Sequence, residues 1–402
     1  MNQSPTFTTT EYTFLKYLNA SLQKSRDSKS LTQPPESELV QALALADRHE
    51  VLPLLDGVLE TGTLPEKIEI EVEAKSARTV HAGIRLQILN ERLTRILEEE
   101  GIKAITLKGC TVAQFYPIPE FRKSSDIDLF VDSEENARKA VQILSDNGFK
   151  VSEGWHANHH ISMKNEKNEE VEIHTSWADP FKDKQLNRCL ERMTKESFQH
   201  TQLLDIQGIK VYAYETAWQA FYLLIHMLQH FVGSGFGIRN LCDWVVLWNS
   251  VDDKKTREDF WEMVCDSGTI AFARAVTTVC VQHLGLDPKK SPIPDGRFSQ
   301  QNVADALLRD ILDAGEFGYS EAGRMVGMDG DSLMSYVREF HHQMHTNFPK
   351  AGKVIPFWPA LWTATLIRFL NNNRKFNRPP VAEIMKKAGE RGQLVRRLQS
   401  SK

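Results

Sequence analysis

Most apolar residues of this chain recur at helical spacing, but the run Asp126-Ile127-Asp128-Leu129-Phe130-Val131 alternates strictly. Ile127, Leu129 and Val131 fall on one side of an extended strand, and Asp126, Asp128 and Phe130 on the other. The pattern predicts a strand that lifts two carboxylates from one face while its apolar side packs underneath. Carboxylates so placed repel and raise each other's pKa unless a cation sits between them. Replacing Asp128 by Asn is expected to relieve that repulsion and leave the fold intact.

The surroundings of this strand define the organisation. Residues 1 to about 78 read as helical: Thr10 is placed to cap a helix carrying Phe14, Leu15 and Leu18, and a second helix spans 36–48. A long amphipathic helix follows over 68–100, with Ile84, Leu86, Ile88, Leu89, Leu93 and Ile96 on its apolar face, and Gly101 stops it. The pattern then changes. Residues 103–107 read as a short strand, Lys108-Gly109 as a turn into a helix over 111–116, and 134–147 as a helix ended by Gly148. Strands at 160–164 and 170–175 flank a polar Lys-Asn-Glu-Lys-Asn-Glu turn, and a further hairpin joins Leu203-Leu204 to 210–214 through Gly208. Helices dominate again from Glu215. The expected organisation is a helical segment over 1–78, an α/β unit over 79–214, and a helical domain with a basic tail over 215–402.

Composition narrows the class. Of 402 residues, 41% are hydrophobic and 25% charged, and 49 basic against 53 acidic residues leave a net −4, which points to no particular partner. The five cysteines are odd in number and far apart, which excludes a disulfide framework or cysteine-rich zinc site and fits a reducing compartment. The first residues lack a basic segment followed by an apolar run, and the apolar stretch 354–370 is too short to span a bilayer and carries Pro356 and Pro359. These features predict a cytoplasmic protein without a membrane span.

The chemistry concentrates near the alternating strand. Leu107-Lys108-Gly109 leads from strand to helix through a glycine, which lets a backbone approach a phosphate; the helix start attracts anions, and Lys108 adds charge. Downstream, Glu170, Glu172 and His174 share the polar face of a second alternating strand, with Val171 and Ile173 on the other. Mg²⁺ takes oxygen ligands, commonly carboxylates together with substrate phosphates. Asp126 and Asp128 with Glu172 therefore form a candidate site for two metal ions.

Residues 105–177 resemble the uncharacterised nucleotidyltransferase family of the polymerase-beta-like superfamily. The likeness rests on Leu107-Lys108-Gly109-Cys110, on Arg122 with Ser125-Asp126-Ile127-Asp128, and on Val171-Glu172-Ile173-His174. It continues more weakly through Leu224, His226, His230, Arg239 and Asp243. Cys110 stands where the wider superfamily has Ser or Gly, and the interval from Gly109 to Asp126 is longer than usual. The resemblance implies an α+β fold, a small mixed-sheet nucleotidyltransferase core flanked by N-terminal and C-terminal helical segments. It also implies metal-dependent transfer of a nucleotidyl group from a nucleoside triphosphate to an unidentified small-molecule or protein acceptor. Asp126, Asp128 and Glu172 would hold Mg²⁺ or Mn²⁺; Lys108, Gly109, Cys110, Arg122 and Ser125 would bind the nucleotide. His174, His226, His230, Arg239 and Asp243 would line the cleft. Transfer to RNA, as by toxins of related fold, and a binding or scaffold module without turnover are the alternatives.

Other features have blander readings. His226 and His230, like Arg239 and Asp243, stand four apart and also suit ordinary helix packing. His156, His159 and His160, beside Trp155, are read as a hairpin edge because no nearby cysteine or spaced acidic residue joins them. Gly233-Ser234-Gly235-Phe236-Gly237 follows a helix rather than a strand and is read as an interhelical turn; Asp329-Gly330-Asp331 lacks the calcium-loop ligand series. From Leu361 to Lys402 there are ten Lys or Arg and two Glu, including Arg374, Lys375, Arg378, Lys386, Lys387, Arg396 and Arg397. With Phe369 and Phe376 the only interleaved Phe, a solvated tail is favoured over an RNA-binding one.

Overall fold

The computed structural model describes residues 7–23, 33–60, 62–152, 160–233, 235–294, 296–315, 333–348, 351, 354–375 and 381–399. His156, His159, Ser234, Asp329, Gly330, Asp331, Phe376 and Arg378 lie outside them, as do the side chains of Phe369, Arg374, Lys375 and Lys387.

Seven strands form one mixed sheet: β1 Ile105–Thr106, β2 Asp126–Phe130, β3 Lys150–Val151, β4 His160–Lys164, β5 Glu170–His174, β6 Thr201–Ile206 and β7 Ile209–Tyr214. Their order is β3-β4-β5-β2-β1-β7-β6. β2 runs parallel to β5 and β1 to β7, while the remaining neighbours are antiparallel. Both expected hairpins are present. The β6–β7 turn places Gln207 and Gly208 at φ of 54° and 88°, the double positive φ of a type I′ turn that matches strand twist.

Helices surround the sheet. α1 Thr9–Ser21, α2 Glu36–Arg48, α3 Leu52–Asp56 and α4 Glu66–Glu99 precede it; α5 Cys110–Ala113, α6 Glu134–Asp146 and α7 Lys184–Glu196 lie between strands. α8 Thr216–Val232, α9 Arg239–Ser250, α10 Lys254–Ser267, α11 Ile270–His283, α12 Gln301–Ala314, α13 Leu333–Asn347, α14 Trp358–Lys375 and α15 Val381–Gln399 follow. The cap of α1 is Thr8, not Thr10. Thr8 Oγ1 accepts from Glu11 N at 3.2 Å and Glu11 Oε2 accepts from Thr8 N at 2.7 Å. Only Thr8 has a glutamate three residues on, so only Thr8 completes a capping box. α4 runs unbroken through residue 78, so the N-terminal segment and the α/β unit share one helix. No helix among the described residues is long and apolar enough to cross a membrane.

Among the described residues the two larger of three cores sandwich the sheet, as strand alternation requires. Ile127, Leu129, Val171, Ile173 and Met163 pack with Leu86, Leu93 and Leu97 of α4 and Ala137, Ala140 and Leu144 of α6. Phe130, on the carboxylate face, belongs to a larger cluster that joins α1–α3 to α8–α12. The two helical segments, distant in sequence, thus form one body over the face that bears Asp126 and Asp128. Part of the basic tail serves this packing: Arg391 of α15 donates to the Phe231 carbonyl and lies 3.3 Å from Asp310 Oδ1.

One buried ion pair fastens that body to the loop before β2. Arg122 is 6% exposed and Asp243 of α9 2% exposed. Arg122 Nε and Nη2 donate to the two Asp243 oxygens at 2.7 Å each, and Tyr116 Oη donates to Asp243 Oδ1 at 2.6 Å. Such a pair contributes little against an apolar substitute, but removing one partner strands a buried charge. Asp243→Ala is therefore expected to lower unfolding free energy by about 3–5 kcal/mol. Arg122→Met with Asp243→Leu should recover most of that loss in urea denaturation, and equal destabilisation of both variants would refute the pairing argument.

Candidate active site

β2 and β5 pair in register Asp126↔Glu170, Asp128↔Glu172 and Phe130↔His174. Because alternate residues share a face, this register sets every polar residue of both strands on one side. Asp126, Asp128 and Glu172 each bring a carboxylate oxygen within 4.8 Å of the others. Glu170, indistinguishable from Glu172 by sequence alternation, is engaged elsewhere: it accepts from Ser162 Oγ at 2.5 Å and lies 3.1 Å from Lys164 Nζ.

Two cations sit among the carboxylates. Lys108 Nζ lies 3.2 Å from Asp128 Oδ2 and 3.6 Å from Asp126 Oδ2. Burial disfavours its charge, but Asp126, Asp128 and Glu172 outweigh burial and raise its pKa. His174 Nε2 lies 3.1 Å from Asp128 Oδ1 and 3.3 Å from Glu172 Oε2. Here too burial opposes the charged ring, yet the two carboxylates lift its pKa to about 9.

The two aspartates, equivalent by sequence pattern, separate in environment. Burial raises Asp126, Lys108 offsets part of this, and Asp128 and Glu172 add repulsion, leaving its pKa above the usual range. Burial also acts on Asp128, but Lys108 and His174 outweigh it and hold its carboxyl well below that range. Relief of repulsion is thus expected from removing Asp126; removing Asp128 deprives His174 of a partner. Glu172 is lowered despite its burial, chiefly by the His174 hydrogen bond.

The turn after β1 supplies one wall. Gly109 has φ 74° and ψ −121°, a conformation that disfavours any side chain. Gln219 of α8 holds this turn by donating to the Leu107 carbonyl at 2.6 Å. α5 is one turn, Cys110–Ala113, rather than the expected 111–116, so its start offers a few N–H groups and little macrodipole. Cys110 points into the interior: Asn90 Nδ2 donates to its sulfur at 3.5 Å, and burial pushes its thiol pKa up to about 11. Any contact it makes to a phosphate comes from its backbone. Ser125 is exposed; Ser124 is the serine whose hydroxyl faces Gly109 and accepts from Arg122 Nη1 at 3.0 Å.

The other wall is helical. His226 of α8 is close enough to Lys108, Asp128 and His174 to feel their charges; burial first, then His230 and Lys108, depress its pKa well below the usual histidine range. His230 is exposed, its ring 4.5 Å from that of His226. Tyr222, one turn before His226, is buried on this wall within reach of the charges of Asp128, Glu172 and Asp126, and sequence reading overlooked it; its apolar helical neighbours hide the signal. Arg239 donates to the Lys123 carbonyl, and its charge reaches Asp126 and Lys108. Asp243, which the sequence spacing set beside Arg239 on one helix, instead meets the fork of Arg122 with both its oxygens. Arg122, read from sequence as a phosphate ligand, has its charge balanced by Asp243. His160, read as lacking an acidic neighbour, gains one from the adjacent strand: its Nε2 is 3.6 Å from Glu172 Oε1.

With this geometry in place, comparison with known proteins identifies its kind. A profile of an uncharacterised nucleotidyltransferase family matches residues 35–285. The chain belongs to that family. The match takes in α2 through α11 and hence every residue of the two walls. No curated protein matches the chain. Among solved structures, an antigenic nucleotidyltransferase-like protein from Paracoccidioides brasiliensis is similar at 13% identity and a TM-score of 0.30, over 44% of this chain and 87% of that one. A likeness so slight adds nothing to the family assignment.

The raised pKa of His174 gives stability a pH dependence. A histidine favoured in its charged form stabilises the fold fully below its unfolded value of 6.5, and the contribution is lost as pH rises through about 9. At about 1.4 kcal/mol per pH unit, the loss is on the order of 3 kcal/mol. Urea unfolding of chelator-treated protein across that window should show the decline. His174→Gln should abolish the slope, and a native chain of constant stability from pH 6.5 to 9 would contradict the assignment.

Proposed function

We propose that this nucleotidyltransferase moves a nucleotidyl group from a nucleoside triphosphate, bound with Mg²⁺ or Mn²⁺, to a small-molecule or protein acceptor. The observation that carries the reading is the convergence of Asp126, Asp128 and Glu172 within 4.8 Å on one sheet face. The donors suit a hard divalent cation. All are carboxylate oxygens, and buried Asp128 Oδ2 has no hydrogen bond, its charged neighbour being Lys108 Nζ at 3.2 Å. A bound divalent ion supplies positive charge to the attacking and leaving oxygens of the transfer.

The chain's own residues do the rest. Asp126, Asp128 and Glu172 would hold the cation, through which the triphosphate would be seated. Lys108 balances the carboxylates and would neutralise phosphate charge beside them. Gly109 lets the backbone approach them, and Arg239 adds charge from the facing wall. His174 keeps the oxygens of Asp128 and Glu172 in place. The acceptor attacks the α-phosphorus, the bond from that atom to the bridging oxygen breaks, and pyrophosphate departs with the electron pair. Glu172 helps take up the acceptor's proton. Such transfer depends mainly on positioning and charge stabilisation. RNA is not the favoured acceptor: few aromatics interleave with the basic tail, and Arg391 within it is engaged in packing.

Parallel reactions with triphosphates labelled at the α or γ position test the proposal. Label from the α position, and not the γ position, should be retained on an acceptor. Asp126→Asn should lower this by about a hundredfold or more, the scale of losing one charge-stabilising group. Its thermal midpoint should equal or exceed that of the native chain. Retention of γ label would indicate a different phosphoryl chemistry, and an Asp126→Asn variant with undiminished transfer would remove the carboxylate cluster from the reaction.

A further inference from the structure

Glu172 stands between two sets of donors. On the β2 side are Asp126 and Asp128; on the β4 side is His160, whose partner across the β4–β5 ladder is His174. Residues directly opposite on paired strands share a face, as do residues two apart on one strand. The alternation that lifts Glu172 into the site therefore lifts both histidines with it. One donor atom from each of His160, Glu172 and His174 lies within 4.8 Å of the others. Both rings turn Nε2 toward the carboxylate: His160 Nε2 is 3.6 Å from Glu172 Oε1, and His174 Nε2 is 3.3 Å from Glu172 Oε2. His174 Nε2 is also 3.1 Å from Asp128 Oδ1.

These separations suit ligands of a single ion. Donors at about 2.0–2.1 Å from a tetrahedral zinc-like ion stand roughly 3.3 Å from one another, and the 3.3 and 3.6 Å from Glu172 to His174 and His160 lie close to that spacing. Hydrogen bonding alone accounts for less of the arrangement. His174 Nε2 carries one proton at most, yet it faces carboxylate oxygens of two residues at nearly equal distance.

We propose that His160, Glu172 and His174, with the fourth position left to solvent, form a site for a first-row transition-metal ion of the Zn²⁺ class. It differs from the Asp126–Asp128–Glu172 cluster in chemistry. Two imidazole nitrogens suit zinc-like ions, whereas Mg²⁺ takes oxygen. It differs in place as well, since His160 and Asp126 lie on strands to either side of β5. Glu172, with one oxygen toward each histidine, belongs to both sets. The site stands on strand register and side-chain geometry, and it goes beyond the nucleotidyl reading without requiring it.

Cobalt titration of the full, chelator-stripped chain without nucleotide tests the proposal, because nitrogen-ligated four-coordinate Co²⁺ absorbs intensely in the visible and all-oxygen Co²⁺ is pale. The native chain should develop intense bands that Zn²⁺ bleaches by competition. His160→Ala should weaken Co²⁺ binding by at least about tenfold, the lower end of what even an outer-sphere partner contributes. His160→Gln, which keeps a hydrogen-bonding side chain, should lose Co²⁺ similarly while circular dichroism stays native. Asp126→Asn should keep the Co²⁺ bands and lose Mg²⁺-dependent nucleotide binding, with the His160 variants doing the reverse. Intense bands in a chain that binds no nucleotide would support this site and sink the nucleotidyl reading alone. A pale spectrum, or His160 variants with native Co²⁺ affinity, would overturn the site.

Discussion

Three carboxylates on neighbouring strands cannot all remain ionised at a largely buried sheet face unless positive charge lies among them. Much of this molecule follows from that constraint. Lys108 reaches between Asp126 and Asp128, and His174 between Asp128 and Glu172. The strand register that creates the repulsion also delivers His174, through the Phe130↔His174 pairing. Asp128, bridged by both cations, is held ionised; Asp126, with a longer contact to Lys108, is left strained toward protonation. In the proposed reaction a divalent cation would resolve the imbalance on the Asp126 side, and the phosphates would give Lys108 a new partner.

Holding such a face in place takes rigid support from both sides. Below it, Ile127, Leu129, Val171 and Ile173 lock the register by filling the core against α4 and α6, since a slip of one residue would exchange apolar and acidic sides. Above it, three contacts pin the loop 122–125 that feeds β2. Arg122 binds Asp243, Arg239 takes the Lys123 carbonyl, and Lys123 Nζ lies 2.7 Å from Glu50 Oε1. The last of these ties in the N-terminal segment, whose helices share a core with α8–α12. Segments distant in sequence therefore converge on the loop that positions the two aspartates.

What the sequence made legible was local. Alternation located β2 and β5 and showed which residues project together, and helical spacing found α4 within two residues at its start and one at its end. Gly208 marked its turn because the chain there needs positive φ. Pairings between distant residues were not legible, because periodicity does not encode them. Asp243 stands four residues from Arg239, and a helix pair was the natural reading; its actual partners, Arg122 and Tyr116, are 121 and 127 residues away. His160 looked isolated along the chain, while the acidic neighbour it has comes through the β4–β5 ladder. Ser124 and Ser125 are equally plausible beside a turn until the backbone direction before β2 is known. Thr8 could have been preferred to Thr10 from the glutamate at position 11 alone.

The central claim is that Asp126, Asp128 and Glu172 form the seat of a cation-bound triphosphate. Its most direct test is anomalous scattering from Mn²⁺ in crystals grown with a triphosphate that cannot be cleaved between its α and β phosphorus atoms. The account predicts Mn²⁺ ligated by the three carboxylates, in two peaks about 3.5–4 Å apart if both sites fill, with Lys108 Nζ moved from the aspartates to a phosphate oxygen. Mn²⁺ and triphosphate bound elsewhere, with Lys108 still against Asp126 and Asp128, would contradict it.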